Sequence, residues 1–113
     1  MKKLLSFLLI LNIVLPISPI KATSDDFIIE NNELIAYLGE DTHIILPEEI
    51  TTIKEKVFYD NDNIISVKMS DNVSIIEKEA FYSCENLTQI TLSNSLIRIG
   101  KDAFAYTSKL KNI

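Results

Sequence analysis

Three segments of the chain can be written under one another without a gap. "ITTIKEKVFYDNDNIISVKM" begins at Ile50, "VSIIEKEAFYSCENLTQITL" at Val73 and "LIRIGKDAFAYTSKLKNI" at Leu96, so each starts 23 residues after the last. The apolar positions keep that offset. Ile50, Val73 and Leu96 share a column, as do Ile53, Ile76 and Ile99. Phe58, Phe81 and Phe104 form another, preceded by Val57, Ala80 and Ala103. Ile64, Leu87 and Leu110 follow, then Val67, Ile90 and Ile113. The frame reaches back, since Ile44 precedes Val67 and Leu46 precedes Met69 by the same step. "IILPEEI" is the end of an earlier, incomplete unit.

A repeat of this length constrains the fold more than composition does. One unit of 23 residues cannot bury its own apolar side, so neighbours must stack and the columns become ladders through one core. The period lies within the range of leucine-rich repeats. Within a unit, "NLTQITL" alternates apolar and polar, as a half-buried strand does. Leu87, Ile90 and Leu92 then point inward, Gln89 and Thr91 outward. "VSII" reads as a second short extended piece. "EKEAFYS" suits a short helical turn with Ala80 and Phe81 toward the core. The expected fold class is therefore an α/β repeat: a leucine-rich-repeat solenoid of strand plus short helical turn, over residues 44–113.

Before the repeats stands "DFIIENNELIAYLGED". Two apolar-rich runs flank Asn31 and Asn32, and asparagine tolerates positive φ, so the stretch reads as a β-hairpin with a tight turn. A solenoid must hide its first edge. The expectation is an N-terminal capping hairpin within residues 25–43.

The first 24 residues have another character. Lys2 and Lys3 are followed by "LLSFLLILNIVLPI", an uncharged run of 14 residues from 4 to 17. Small residues at Ala22 and Ser24 come next. This is the pattern of a secretory signal peptide, cleaved after Ala22 or Ser24. The alternative is an uncleaved membrane anchor, but the run is short of the ~20 residues a spanning helix needs. Removing residues 1–24 leaves eight basic residues against sixteen acidic ones, a net charge of −8. Such a surface repels nucleic acid and anionic lipid. Cys84 is the sole cysteine, so no bridge forms within the chain.

"IGKDAF" at residues 99–104, "AFYSCENL" at 80–87 and "ITL" at 90–92 together make the sequence similar to the BspA-like leucine-rich repeat family, whose unit runs I-G-x-x-A-F-x-x-C-x-x-L-x-x-I-x-[IL]-P. The likeness covers residues 44–113. Departures are visible: Lys54 and Glu77 stand where the glycine is found at Gly100, and Asn61 and Thr107 where the cysteine is found at Cys84. Proline follows the strand only at Pro47, with Ser70 and Ser93 later. The resemblance implies a bacterial protein, secreted or displayed at the cell surface, that binds proteins of a host, a matrix or neighbouring cells, without catalysis and without a cofactor.

The residues themselves carry little chemistry. Cys84 sits in a column of small polar residues and reads as packing, since a free cysteine behaves as a small hydrophobe; a nucleophile needs a neighbouring base and a lowered pKa. The one histidine, His43, falls in the strand column, on the other side of the coil. No metal ligands are in register with it. The acids at Glu48–Glu49 and Asp60–Asp62 lack a calcium loop and read as solvated turns. What remains is the outward strand face. His43, Ser66, Gln89 and Asn112 make one row; Ile45, Lys68 and Thr91 the next; Pro47, Ser70 and Ser93 a third. Solenoids bind through such extended faces. His43, Ile45, Ser66, Lys68, Gln89 and Thr91 are the candidate partner-binding residues, against an ordinary solvated face. Tyr59, Tyr82 and Tyr106, near the helical turns, are an alternative anchor, with packing over the ladder edge as the plainer reading.

The sequence stops at Ile113, inside a strand column. The expectation is a truncated frame, a fragment of a longer array, or edge-to-edge self-association at that open end. A structural spacer, or the non-catalytic N-terminal part of a longer secreted enzyme, are the other functions compatible with these residues.

Overall fold

The computed structural model describes residues 24–111. The leader expected over residues 1–24 lies, apart from Ser24, outside them, and so do Asn112 and Ile113. A 3-10 turn at Ser24–Asp26 leads into β1 (Phe27–Glu30), β2 (Glu33–Tyr37), β3 (His43–Ile45), β4 (Thr52–Ile53), β5 (Ser66–Lys68), β6 (Ile75–Ile76), β7 (Gln89–Thr91) and β8 (Arg98–Ile99). One sheet runs β1-β2-β4-β6-β8, the other β3-β5-β7.

The ladders pair residues one period apart. β3, β5 and β7 are parallel, with Ile44 opposite Val67 and Val67 opposite Ile90. β4, β6 and β8 are parallel too, with Ile53 opposite Ile76 and Ile76 opposite Ile99. A parallel register places like beside like, so the apolar columns become seams, with Ile99 on β8 left 46% exposed. Ile44, Val67 and Ile90 are buried, as are Ile53, Ile76, Ile64 and Leu87. Burying one such side chain fully contributes about 1.5–3 kcal/mol. These two- and three-residue strands are held by that stacking, because a strand so short has no independent stability.

An aromatic ladder runs through the same core. The rings of Phe27, Tyr37, Phe58, Phe81 and Phe104 follow one another with centroids 5.1, 5.5, 5.0 and 5.2 Å apart. Tyr37 and Phe27 belong to the N-terminal hairpin and extend the Phe column by two rungs.

The helical turn expected at "EKEAFYS" is not a helix; no α-helix occurs among the described residues. The backbone amides explain why. Alternate N–H groups donate across to the next coil: Glu79 to Lys101 O at 3.0 Å, Phe81 to Ala103 O at 2.8 Å and Ser83 to Ala105 O at 2.8 Å, as Lys56, Phe58 and Asp60 do to Lys78, Ala80 and Tyr82 one unit earlier. The intervening ones, of Ala80 and Tyr82 here and of Val57, Tyr59 and Asn61 one unit earlier, bond three residues back. A helix directs every N–H to its own segment. Here half of them fasten neighbouring coils, so the segment becomes a chain of tight turns. The turns demand left-handed backbone at fixed steps: Lys56, Glu79 and Asp102 have φ of 62°, 56° and 57°, and Asp60, Ser83 and Tyr106 have 56°, 58° and 59°.

β1 and β2 form an antiparallel hairpin around Asn31 and Asn32, at φ 52° and 64°. Both signs fit a type I′ turn, which matches strand twist. β2 pairs in parallel with β4, Leu34 opposite Ile53. The expected division at residues 43 and 44 falls inside β3.

Candidate functional site

The β3-β5-β7 sheet brings the candidate residues together. Register sets His43, Ser66 and Gln89 in one row and Ile45, Lys68 and Thr91 in the next. Ile44, Val67 and Ile90 between the rows turn inward, so both rows face out by strand alternation. His43, Lys68, Gln89 and Thr91 are exposed and Ser66 is half-buried. Ile45 is 53% exposed, a large apolar side chain left in water. His43 Nδ1 and Ser66 Oγ are 2.7 Å apart in a hydrogen bond that ties the first two strands on their outer face.

The third row departs from its expected place. Ser93 is only 7% exposed, and Pro47 and Ser70 are half-buried. Ser70 Oγ accepts the Asn72 N–H at 3.3 Å, and Ser93 Oγ accepts the Ser95 N–H at 2.9 Å. The strands end at Ile45, Lys68 and Thr91, so alternation no longer governs the residues beyond, and these serines brace turns.

The tyrosines form a second outward feature. Tyr59 and Tyr82 stack with centroids 4.9 Å apart and planes within 4°, and Tyr106 meets Tyr82 edge-on at 5.2 Å. Lys56 Nζ lies 5.4 Å from the Tyr59 ring centre. Tyr59 and Tyr82 share one face each with the other, while Tyr59 stays 40% and Tyr106 69% exposed. The rings thus stack along the coils at the surface.

Cys84 is fully buried and its Sγ donates to the Phe58 carbonyl at 3.0 Å. Burial pushes its thiol from 9.0 up to about 12. A backbone hydrogen bond from Asn61 offsets this only in part, the Asp62 and Asp60 carboxylates add to it, and His43 is bonded to Ser66 on another side of the coil. The column serves turns in three ways: Asn61 Oδ1 accepts from the Asn63 and Ile64 N–H groups, Cys84 donates to the preceding coil, and Thr107 Oγ1 donates to its own Phe104 O.

Two clamps were not foreseen from sequence. Asn72 Nδ2 donates to Glu48 O and Asn86 Nδ2 to Asp62 O, both at 2.7 Å. Lys54 Nζ also bridges Glu77 at 3.2 Å and Glu33 at 3.7 Å, and its pKa is raised chiefly by the hydrogen bond to Glu77. Charge complementarity in the column of residues 54 and 77 was the available signal for that bridge. Among the described residues no group of three or more His, Cys, Asp or Glu could hold a metal ion, and no helix is long and apolar enough to cross a membrane.

Short parallel strands stacked at one period over a Leu, Ile and Phe core, with a polar outer sheet, define a leucine-rich-repeat protein. A family model described as "BspA type Leucine rich repeat region" matches residues 33–113 in six copies. The chain belongs to that family. Among solved structures it is similar to the leucine-rich-repeat protein of T. pallidum, with a TM-score of 0.77 and 22% identity, covering 82% of this chain and 49% of that one. It is also similar to a leucine-rich cell surface protein of Faecalibacterium prausnitzii A2-165, with a TM-score of 0.70 and 26% identity, covering 85% and 30%. The chain thus spans about half or less of those proteins. No curated protein matches it.

Proposed function

We propose that this chain is a bacterial, secreted or cell-surface module that recognises protein through the outer face of β3-β5-β7, in adhesion and without catalysis or cofactor. The carrying observation is that face itself: five exposed polar or apolar side chains and Ser66, held in two rows by a parallel register. A pre-ordered surface loses little side-chain and loop freedom on binding. Export is supported by the sequence of residues 1–24, and surface display by the likeness to the F. prausnitzii cell surface protein. In this reading residues 1–24 are the leader, residues 25–43 the capping hairpin and residues 44–113 the stacked 23-residue units.

The test is pull-down of surface and matrix proteins by the secreted chain, compared with a Lys68→Ala/Gln89→Ala variant of the same thermal stability. Binding lost in the variant supports the face. Binding unchanged for every captured protein rules the face out and leaves a spacer role.

A further inference from the structure

The two sheets end differently. On the large sheet the strand β4 is followed outward by β2 and then β1 of the hairpin. On the small sheet β3 is terminal, with β5 its one neighbour among the described residues. Thr42 O accepts the Ser66 N–H, and the Leu46 N–H donates to Lys68 O. In an extended strand successive residues point their N–H and C=O groups to opposite sides. Thr42, Ile44 and Leu46 therefore face β5, and the N–H and C=O groups of His43 and Ile45 face away from it. Such a row is a template for another strand.

The flanks of β3 select what pairs there. Glu40 and Asp41 precede it and Glu48 and Glu49 follow it; Asp41 is half-buried and the other three are exposed. A second copy of the chain brings acid against acid in either orientation, which opposes self-pairing. An extended segment with basic ends and an apolar middle meets the acids at both ends and Ile45 between them. We infer that the β3 edge takes up an extended, basic-flanked polypeptide segment as an added strand, by main-chain hydrogen bonds to His43 and Ile45. The inference rests on protein recognition as the function, but places the partner at an edge instead of on the strand face.

Ile45→Pro is the discriminating variant when compared with Ile45→Ala, which loses the same outward side chain but keeps the N–H and is expected to bind more tightly than Ile45→Pro. Its lost N–H is one that points away from β5, and proline is accepted on edge strands in that position. Ile45→Lys keeps the N–H and adds repulsion to a basic peptide. The probes are fluorescent peptides with alternating valine and threonine between two lysines at each end, or two glutamates at each end. Anisotropy is read at low and moderate salt on the secreted chain. The expected result is binding of the lysine peptide, at least about tenfold weaker binding of the glutamate peptide, and a loss of about tenfold or more in Ile45→Pro and Ile45→Lys. Circular dichroism melting establishes that each variant is folded; if Ile45→Pro is not, a lysine peptide N-methylated at alternate amides replaces it. Full binding by Ile45→Pro or by the methylated peptide overturns the inference, as does equal binding of both charge types. Binding lost in Lys68→Ala/Gln89→Ala but kept in Ile45→Pro overturns it while leaving strand-face recognition standing. A dimer of the chain that Ile45→Pro dissociates overturns it in favour of self-pairing.

Discussion

The thiol of Cys84 donates to the carbonyl of Phe58 across one coil, at 3.0 Å, as a second donor to an oxygen that also accepts the Asn61 N–H of its own turn. The bond assigns the cysteine to structure. It also makes the fold sensitive to alkali. Burial holds the thiol protonated in the native state up to about 12, against 9.0 in an open chain. Above pH 9 the unfolded state gives up this proton first and binds fewer protons than the native state, so stability falls as pH rises between 9 and 12 and is fully present below.

Cys84→Ala is expected to cost about 1–2 kcal/mol at neutral pH. Tyrosines and lysines titrate in the same alkaline window, so the informative quantity is the difference from the wild type. That gap narrows above pH 9. Urea melts at neutral and alkaline pH measure it, and a gap that stays constant would show that the thiol is not held neutral. Iodoacetamide should label Cys84 only in denaturant.

Phe81 is stacked between Phe58 and Phe104, at 5.0 and 5.2 Å, and is fully buried. Phe81→Ala removes the central rung from both neighbours. A loss of about 3–5 kcal/mol is expected in chemical denaturation. Phe104, half-buried, should cost less when truncated.

Gly100 shares a column with Lys54 and Glu77 yet has no room for a side chain. A Cβ there meets Lys78 N at 2.5 Å and the Glu77 carbonyl carbon at 2.7 Å, both backbone atoms of the previous coil. Gly100→Ala should therefore destabilise by about 1–3 kcal/mol, a contrast to the gain expected when an unstrained glycine is replaced. An unchanged Tm would mean that the coils slide apart at little cost.

Asn31 and Asn32 both carry positive φ. Asn32→Gly should leave the melting temperature unchanged or raise it, and Asn32→Ala should lower it, at about 1–2 kcal/mol for a β-carbon in that region. Thermal melts of the two variants decide whether the turn is set by φ alone.

The parallel ladders were legible because their signal is redundant: Ile44, Val67 and Ile90 sit one period apart and pair that way. The hairpin was legible from two adjacent asparagines. "EKEAFYS" misled because its local composition favours a helical turn, while the decision lies in amides of Glu79, Phe81 and Ser83 that reach another coil. Propensity is local and those bonds are not. Ser70 and Ser93 misled for a related reason: alternation holds only within a strand, and the strand had ended. The rows through His43 and Ile45 followed from alternation plus period, both readable in one sequence. The edge character of β3 depends on which strands become neighbours, which no single unit contains.

The turn side of each coil is fastened to the next by amides, and a main-chain group is present whatever side chain it bears. That separates the two duties of a residue here. Inward positions answer to volume and cannot drift far. Outward positions on the small sheet carry almost no structural debt, with the His43–Ser66 bond the visible exception. A lineage could rewrite those rows while each intermediate still folds, so the scaffold can change what it recognises faster than it changes shape.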